Sequence, residues 1–68
     1  MTNPIIYFDG SKRWYTNYGL HREDGPAVEY PDGTKWWLIN DEYHREDGPA
    51  IENADGTKEW YIRDKRIE

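Results

Sequence analysis

The heptapeptide His21-Arg22-Glu23-Asp24-Gly25-Pro26-Ala27 recurs letter for letter as His44-Arg45-Glu46-Asp47-Gly48-Pro49-Ala50. A shift of 23 residues superimposes the two copies. The same shift aligns three turn sequences and three tryptophans, which are Asp9-Gly10, Asp32-Gly33, Asp55-Gly56, Trp14, Trp37 and Trp60. A constant period of this length is the mark of a repeat protein. We therefore predict one repeat domain of three units, over residues 4–26, 27–49 and 50–68.

Each Asp-Gly pair stands between two short β-rich runs, which is a strong signal for a β-hairpin. The second runs cover residues 12–16, 35–39 and 58–62, and no segment has helical periodicity. We predict an all-β fold, a single-layer antiparallel meander of about six strands. The return limbs are longer than the strands they pair with. We expect the surplus residues to bulge at the Asp-Gly-Pro steps, 24–26 and 47–49.

Alternation along the second runs produces two faces. We predict that the tryptophan face is the core. Its members are Trp14, Thr16, Trp37, Ile39, Trp60 and Ile62, joined by Ile5, Val28 and Ile51 from the preceding strands. The opposite face is also apolar where a solvated face would be polar, so it either packs or binds a partner. Its members are Tyr15, Trp36, Leu38 and Tyr61.

Composition and charge argue against several classes of function. The chain has 68 residues, no cysteine and two histidines, so it has neither a disulfide nor a Cys/His zinc framework. The net charge is −5, and residues 21–56 hold most of the acidic side chains. This charge argues against nucleic acid and anionic membranes, which attract clustered Lys and Arg. With no apolar run of about 20 residues and no signal-peptide pattern, we expect a cytoplasmic protein.

The repeated heptapeptide contains residue types found in catalytic and metal sites. In a meander, His21 and His44 would lie roughly 10 Å apart, too far to share a zinc ion. Asp24 and Asp47 would be at or beyond the limit of glycosidase pairs. The only serine, Ser11, is distant from both histidines, and there is no cysteine. We therefore predict no enzymatic activity, metal or cofactor.

Two interpretations of the heptapeptide remain open. In the first, the charged side chains tie the bend to neighbouring strands. In the second, two identical bends form a ledge that faces a partner, and repetition raises avidity. The candidate binding residues are His21, Arg22, Glu23, Asp24, His44, Arg45, Glu46 and Asp47, together with Tyr15, Trp36, Leu38 and Tyr61.

A nucleic-acid site on the tryptophan row is disfavoured, because stacking platforms lie in positive grooves and Glu29 and Glu52 are nearby. A DNA mimic is also disfavoured, since Arg22, Lys35 and Arg45 interrupt the carboxylates.

The 23-residue hairpin unit, with aromatic strands, Gly-Pro and Asp-Gly turns, resembles the MORN repeat in its variant form over residues 5–62. The wording Leu-His-Arg-Glu-Asp-Gly-Pro-Ala, followed by Asp-Gly-Thr-Lys, is similar to repeats in small bacteriophage-encoded proteins. The resemblance implies an open antiparallel sheet used for binding. It also implies a viral protein that acts on host machinery, in the cytoplasm of an infected bacterium.

Three functions follow as hypotheses. The first is a non-enzymatic module that binds and occludes a host protein, in host takeover or anti-defence. The second is capture of a small, nucleotide-like ligand, and the third is a structural self-assembling oligomer. Open sheet edges promote association, so we also predict a homo-oligomer.

Overall fold

The computed structural model describes residues 3–67, which form twelve short β-strands and no helix. In chain order the strands are β1 (Ile5–Ile6), β2 (Lys12–Arg13), β3 (Tyr15–Thr16), β4 (Gly19–Leu20), β5 (Val28–Glu29), β6 (Lys35–Trp36), β7 (Leu38–Ile39), β8 (Glu42–Tyr43), β9 (Ile51–Glu52), β10 (Lys58–Glu59), β11 (Tyr61–Ile62) and β12 (Lys65–Arg66). The described part of the chain therefore contains no helix that could cross a membrane. Residue 68, the end of the third predicted unit, lies outside the described residues.

Six strands form one antiparallel sheet in the order β1-β2-β5-β6-β9-β10. The connections between neighbours follow the chain without a crossover, so the predicted all-β meander is confirmed. One row across the sheet alternates in charge, because Glu29 faces both Lys12 and Lys35. Glu52 likewise faces both Lys35 and Lys58. Opposite charges on facing strands each stabilise the pairing by about 0.2–1 kcal/mol.

The three predicted Asp-Gly turns are present. Gly10, Gly33 and Gly56 have φ values of 89°, 98° and 92°, in the left-handed region that glycine adopts without steric cost. In each turn the aspartate Oδ1 accepts the backbone N–H two residues later, at 2.9–3.0 Å. The turn chemistry therefore fixes the hairpin register in every unit.

Each second run is interrupted at its tryptophan, which the sequence analysis did not predict. The remaining strands form three small hairpins, β3-β4, β7-β8 and β11-β12. Trp37 N–H donates to Ala50 C=O, while Trp37 C=O accepts His44 N–H. The whole heptapeptide is therefore looped out between two hydrogen bonds to one residue. Trp14 closes the other copy in the same way, with Ala27 and His21. These loops hold the surplus residues, as predicted.

The centre of the core lies on the face that carries Trp36 and Leu38, which was predicted to lie opposite the core. Ala27, Val28 and Leu38 form its buried centre. Partly buried side chains pack around them, namely Leu20, Tyr30, Trp36 and Tyr43. Val28 faces Trp36 across the sheet, so it belongs to the Trp36 side and not to the Trp37 side. The predicted core residues Trp14, Val28 and Ile51 are buried, as expected. Trp37 and Trp60 are only partly buried and Ile5 is 53% exposed, so the prediction is wrong for Ile5 and for the grouping of Val28 with Trp37 on one face.

Candidate functional site

The first bend, residues 21–27, is organised by Arg22. Its guanidinium carbon lies 3.8 Å from the centroid of the Trp14 ring. Arg22 Nε donates to Asp24 Oδ1 at 3.0 Å, and Arg22 Nη1 donates to the Pro26 carbonyl at 3.2 Å and to Glu29 Oε2 at 3.3 Å. The Arg22 side chain is therefore held both by cation–π stacking and by charge-assisted hydrogen bonds.

The second bend, residues 44–50, repeats this arrangement. Arg45 lies 3.9 Å from the Trp37 ring centroid. It donates to Asp47 at 3.1 Å, to the Pro49 carbonyl at 3.0 Å and to Glu52 at 3.2 Å. We call each set of contacts an arginine clasp. Since the tryptophan backbone closes the loop and its ring stacks on the arginine, one residue holds the bend at three points.

Glycine leaves room for the arginine side chain inside each clasp. A Cβ atom on Gly25 would lie 3.0 Å from the guanidinium carbon of Arg22. On Gly48 it would lie 2.7 Å from that of Arg45. Real Cβ contacts are essentially never shorter than 3.0 Å, so a side chain at residue 48 would displace the arginine.

The histidines join successive units. His21 Nδ1 accepts the backbone N–H of Asn40 at 3.0 Å, and His44 Nδ1 accepts that of Arg63 at 3.1 Å. The other ring nitrogen, Nε2, faces a glutamate in both bends. In the first bend Nε2 lies 3.1 Å from Glu23. The histidines therefore have a structural role and present little of their surface to solvent.

The carboxylates of the bends remain open to solvent. Glu23, Asp24, Glu46 and Asp47 have between 81% and 88% of their side-chain surface exposed. They border a groove of about 900 Å³ between the two bends. Its other lining residues are Arg22, Gly25, Trp37, Ile39, His44 and Arg45. Four carboxylates against two arginines give the lining of the groove an excess of acidic side chains.

Two members of the predicted aromatic binding face contribute to the core or pack against it, and a binding role for the face stays a prediction. Leu38 is only 4% exposed and lies in the centre of the core. Trp36 packs edge-on against Tyr30 and Tyr43, with ring centroids 5.1 and 5.9 Å apart. Tyr61 lies 5.3 Å from Tyr43 in the same ladder. These apolar side chains therefore pack against each other.

The aromatic ladder also shifts the ionisation of one member. Burial raises the pKa of the Tyr43 hydroxyl, and the charge of Asp64 raises it further. Tyr15, the remaining member of the predicted face, is half-buried at the other end of the sheet, where its hydroxyl lies 2.8 Å from that of Tyr7. None of these groups faces the groove.

The sequence analysis missed several residues of the site. Glu29 and Glu52 each complete an arginine clasp from seven residues downstream, and Ile39 lines the groove. The recurrence of both glutamates at the 23-residue spacing was a usable signal. Among residues 3–67 there is no cluster of three or more His, Asp or Glu side chains arranged to hold a metal ion.

No protein-family model, curated protein or solved structure matches the chain.

Proposed function

We propose that this protein is a non-enzymatic binding module whose groove between the two bends takes up a basic segment of a partner protein. The observation that carries the proposal is the set of four exposed carboxylates on the groove. Both arginines in the groove already have carboxylate partners, at 3.0–3.3 Å. Each of the four carboxylates already has one partner within its bend, an arginine or a histidine. An ionised carboxylate can accept about four hydrogen bonds, so its exposed oxygens retain capacity for a bound cation.

The apolar part of the groove supports the same class of partner. Trp37 and Ile39 line it beside the carboxylates. Lys and Arg side chains place an aliphatic stem on apolar surface while the charged group stays near water or a carboxylate. Two identical bends side by side also suit a segment with two basic residues, because the second contact is then intramolecular.

The resemblance to bacteriophage-encoded repeats supports a more specific role. On this reading the protein is an accessory factor in the cytoplasm of an infected bacterium. It binds a host protein and occludes a surface that the host protein needs, in host takeover or anti-defence. The basic segment would belong to that host protein.

The test is affinity capture from bacterial lysate with three chains. The groove variant carries Asp24→Asn and Asp47→Asn. The matched control carries Asp32→Asn and Asp55→Asn, which are also related by 23 residues and lie outside the groove. Each exposed ion pair is worth up to about 1 kcal/mol, so the groove variant should bind roughly 30-fold more weakly at most.

The native chain and the control should retain the same partner, and the groove variant should lose most of it. Equal retention by all three chains, or no partner with the native chain, would contradict the proposal.

A second candidate function is capture of a small ligand. The groove volume of about 900 Å³ lies within the range of about 300–1,000 Å³ that ligand sites occupy. A thermal-shift screen with nucleotides and polyamines tests it, because a ligand at 100 times its Kd stabilises the fold by about 2.7 kcal/mol. A screen without any shift would eliminate this candidate.

A further inference from the structure

We infer that a second copy of this chain binds head-to-tail, with strand β1 of one copy pairing with strand β10 of the next. Among residues 3–67, these two strands are the edges of the six-stranded sheet. In the meander, β10 runs antiparallel to the strand that would follow it, as β2 does to β5 and β6 does to β9. The pairs β2-β5 and β6-β9, which join successive units inside the chain, therefore serve as templates for a β10-β1 pair between two chains.

The backbone groups at both edges are directed outward. Facing residues of antiparallel strands alternate between hydrogen-bonded and non-bonded pairs. Tyr7 N–H donates to Ser11 C=O inside the first hairpin, so the neighbouring Ile6 directs its N–H and C=O to the open side. Asn53 N–H donates to Thr57 C=O in the third hairpin, so Lys58 also faces outward.

The templates fix the register of the new pair. Lys12 faces Glu29 at the first internal junction, and Lys35 faces Glu52 at the second. A further step of 23 residues places Lys58 opposite Ile6 of the next copy.

The same step supplies a partner for the tryptophan backbone. Trp14 N–H donates to Ala27 C=O, and Trp37 N–H donates to Ala50 C=O. The equivalent acceptor for Trp60 is the Pro4 carbonyl of the next copy. The proline lacks an N–H, but neither internal junction uses the alanine N–H to bond the tryptophan of the preceding unit. Pro4 is therefore compatible with the junction.

Burial distinguishes the N-terminal edge from the equivalent strands inside the sheet. Val28 is fully buried and Ile51 is 9% exposed, whereas Ile5, at the same repeat position, is 53% exposed. Ile6 and Phe8 are also exposed. An edge with free backbone groups and apolar side chains is a site for pairing with another strand. A heterologous contact of this kind leaves a free edge at each end, so the assembly can grow.

Two proline variants and their mixture test the inference by sedimentation velocity. Lys58→Pro removes an outward N–H from β10, and Ile6→Pro removes one from β1; the alternation of the ladder directs both N–H groups away from their own hairpins. The native chain should form dimers and longer species as concentration rises. Each variant should be monomeric alone, and the mixture should form a 1:1 dimer that grows no further.

Several results would overturn head-to-tail pairing. These are a native chain that stays monomeric, a single variant that dimerises by itself through two like edges, or a mixture that stays monomeric. Ile6→Glu separates the models further, because it places a carboxylate opposite Lys58 and should tighten head-to-tail association by up to about fivefold. In a pairing of two β1 edges in which residue 6 faces residue 6, the same change would bring like charges together and weaken association.

A measurement on the native chain covers the case in which a proline variant does not fold. Amide hydrogen exchange at Lys58 and Trp60 should slow as protein concentration rises, because both N–H groups gain acceptors. Exchange at these two positions that is independent of concentration would overturn the inference.

Discussion

Replacing Trp36 with serine should unfold much of this protein, because Trp36 lies in the aromatic ladder beside the core. Its ring makes edge-on contacts with Tyr30 and Tyr43 at 5.1 and 5.9 Å. Two such pairs contribute about 1–3 kcal/mol beyond burial. Truncation of a fully buried tryptophan costs about 3–5 kcal/mol, so we expect about 2–4 kcal/mol for this half-buried one.

That loss is large for a chain of 68 residues, whose total stability is about 3–10 kcal/mol. The assay is thermal unfolding followed by near-ultraviolet circular dichroism, in which Tm should fall by roughly 10–30 °C. Tyr18→Ser is the control, since Tyr18 is 75% exposed and should change Tm little. A Trp36→Ser chain with an unchanged Tm would refute the assignment of this face to the core and return it to the candidate binding surface.

Three other substitutions test separate parts of the structure. Gly48→Ala should destabilise the native chain by displacing the Arg45 clasp, but should cost little in an Arg45→Ala background; additive effects in urea unfolding would contradict this. Asp55 has a lowered pKa because backbone and hydroxyl donors two residues later hold its charged form. Its contribution to stability is therefore present above its ordinary pKa and lost as the pH falls through the lower folded value. Asp55→Asn should weaken the acid dependence of Tm, and an unchanged dependence would refute this. Gly19→Ala would place a Cβ 2.7 Å from Asp41 at a φ of 107°, so native-state hydrogen exchange should show weakened protection at the junction of the first two hairpins; unchanged protection would contradict the close approach.

The hairpins and their turns could be predicted from the sequence because they depend on local chemistry. Asp-Gly pairs at a constant spacing determine where each turn lies, and the observed positive φ values of all three glycines agree. The surplus of residues in the return limbs likewise predicted that the bends would loop out. Local composition and length were sufficient for both.

The choice of the core face could not be made in the same way. Both faces carry aromatic side chains, so periodicity alone does not rank them. The decision depends on Arg22 and Arg45, whose guanidinium groups cover Trp14 and Trp37. This covering leaves Trp36 and Leu38 as the face that packs. These arginine–tryptophan contacts join residues that are eight positions apart, and they depend on the shape of the chain between them, which could not be predicted from the sequence.

The candidate site was predicted in part. The bends do come together, and their carboxylates border a common groove. The arginines and histidines make contacts within the fold, as in the first interpretation of the heptapeptide, and their role in binding stays a prediction. The residue types of the heptapeptide are compatible both with contacts that hold the bend and with contacts to a partner. The structure is needed to distinguish the side chains that hold the bend from those that face solvent.

Site-specific photocrosslinking tests the groove most directly. Ile39 lines the groove, whereas Tyr18 is exposed outside its lining. A chain with p-benzoylphenylalanine at residue 39, and a second with it at residue 18, would be irradiated in bacterial lysate and the adducts sequenced by mass spectrometry. If the groove takes up a basic segment, one partner should be joined at residue 39 through a segment rich in Lys or Arg. Adducts at residue 18 alone, or at residue 39 only through acidic or apolar segments, would contradict the proposal.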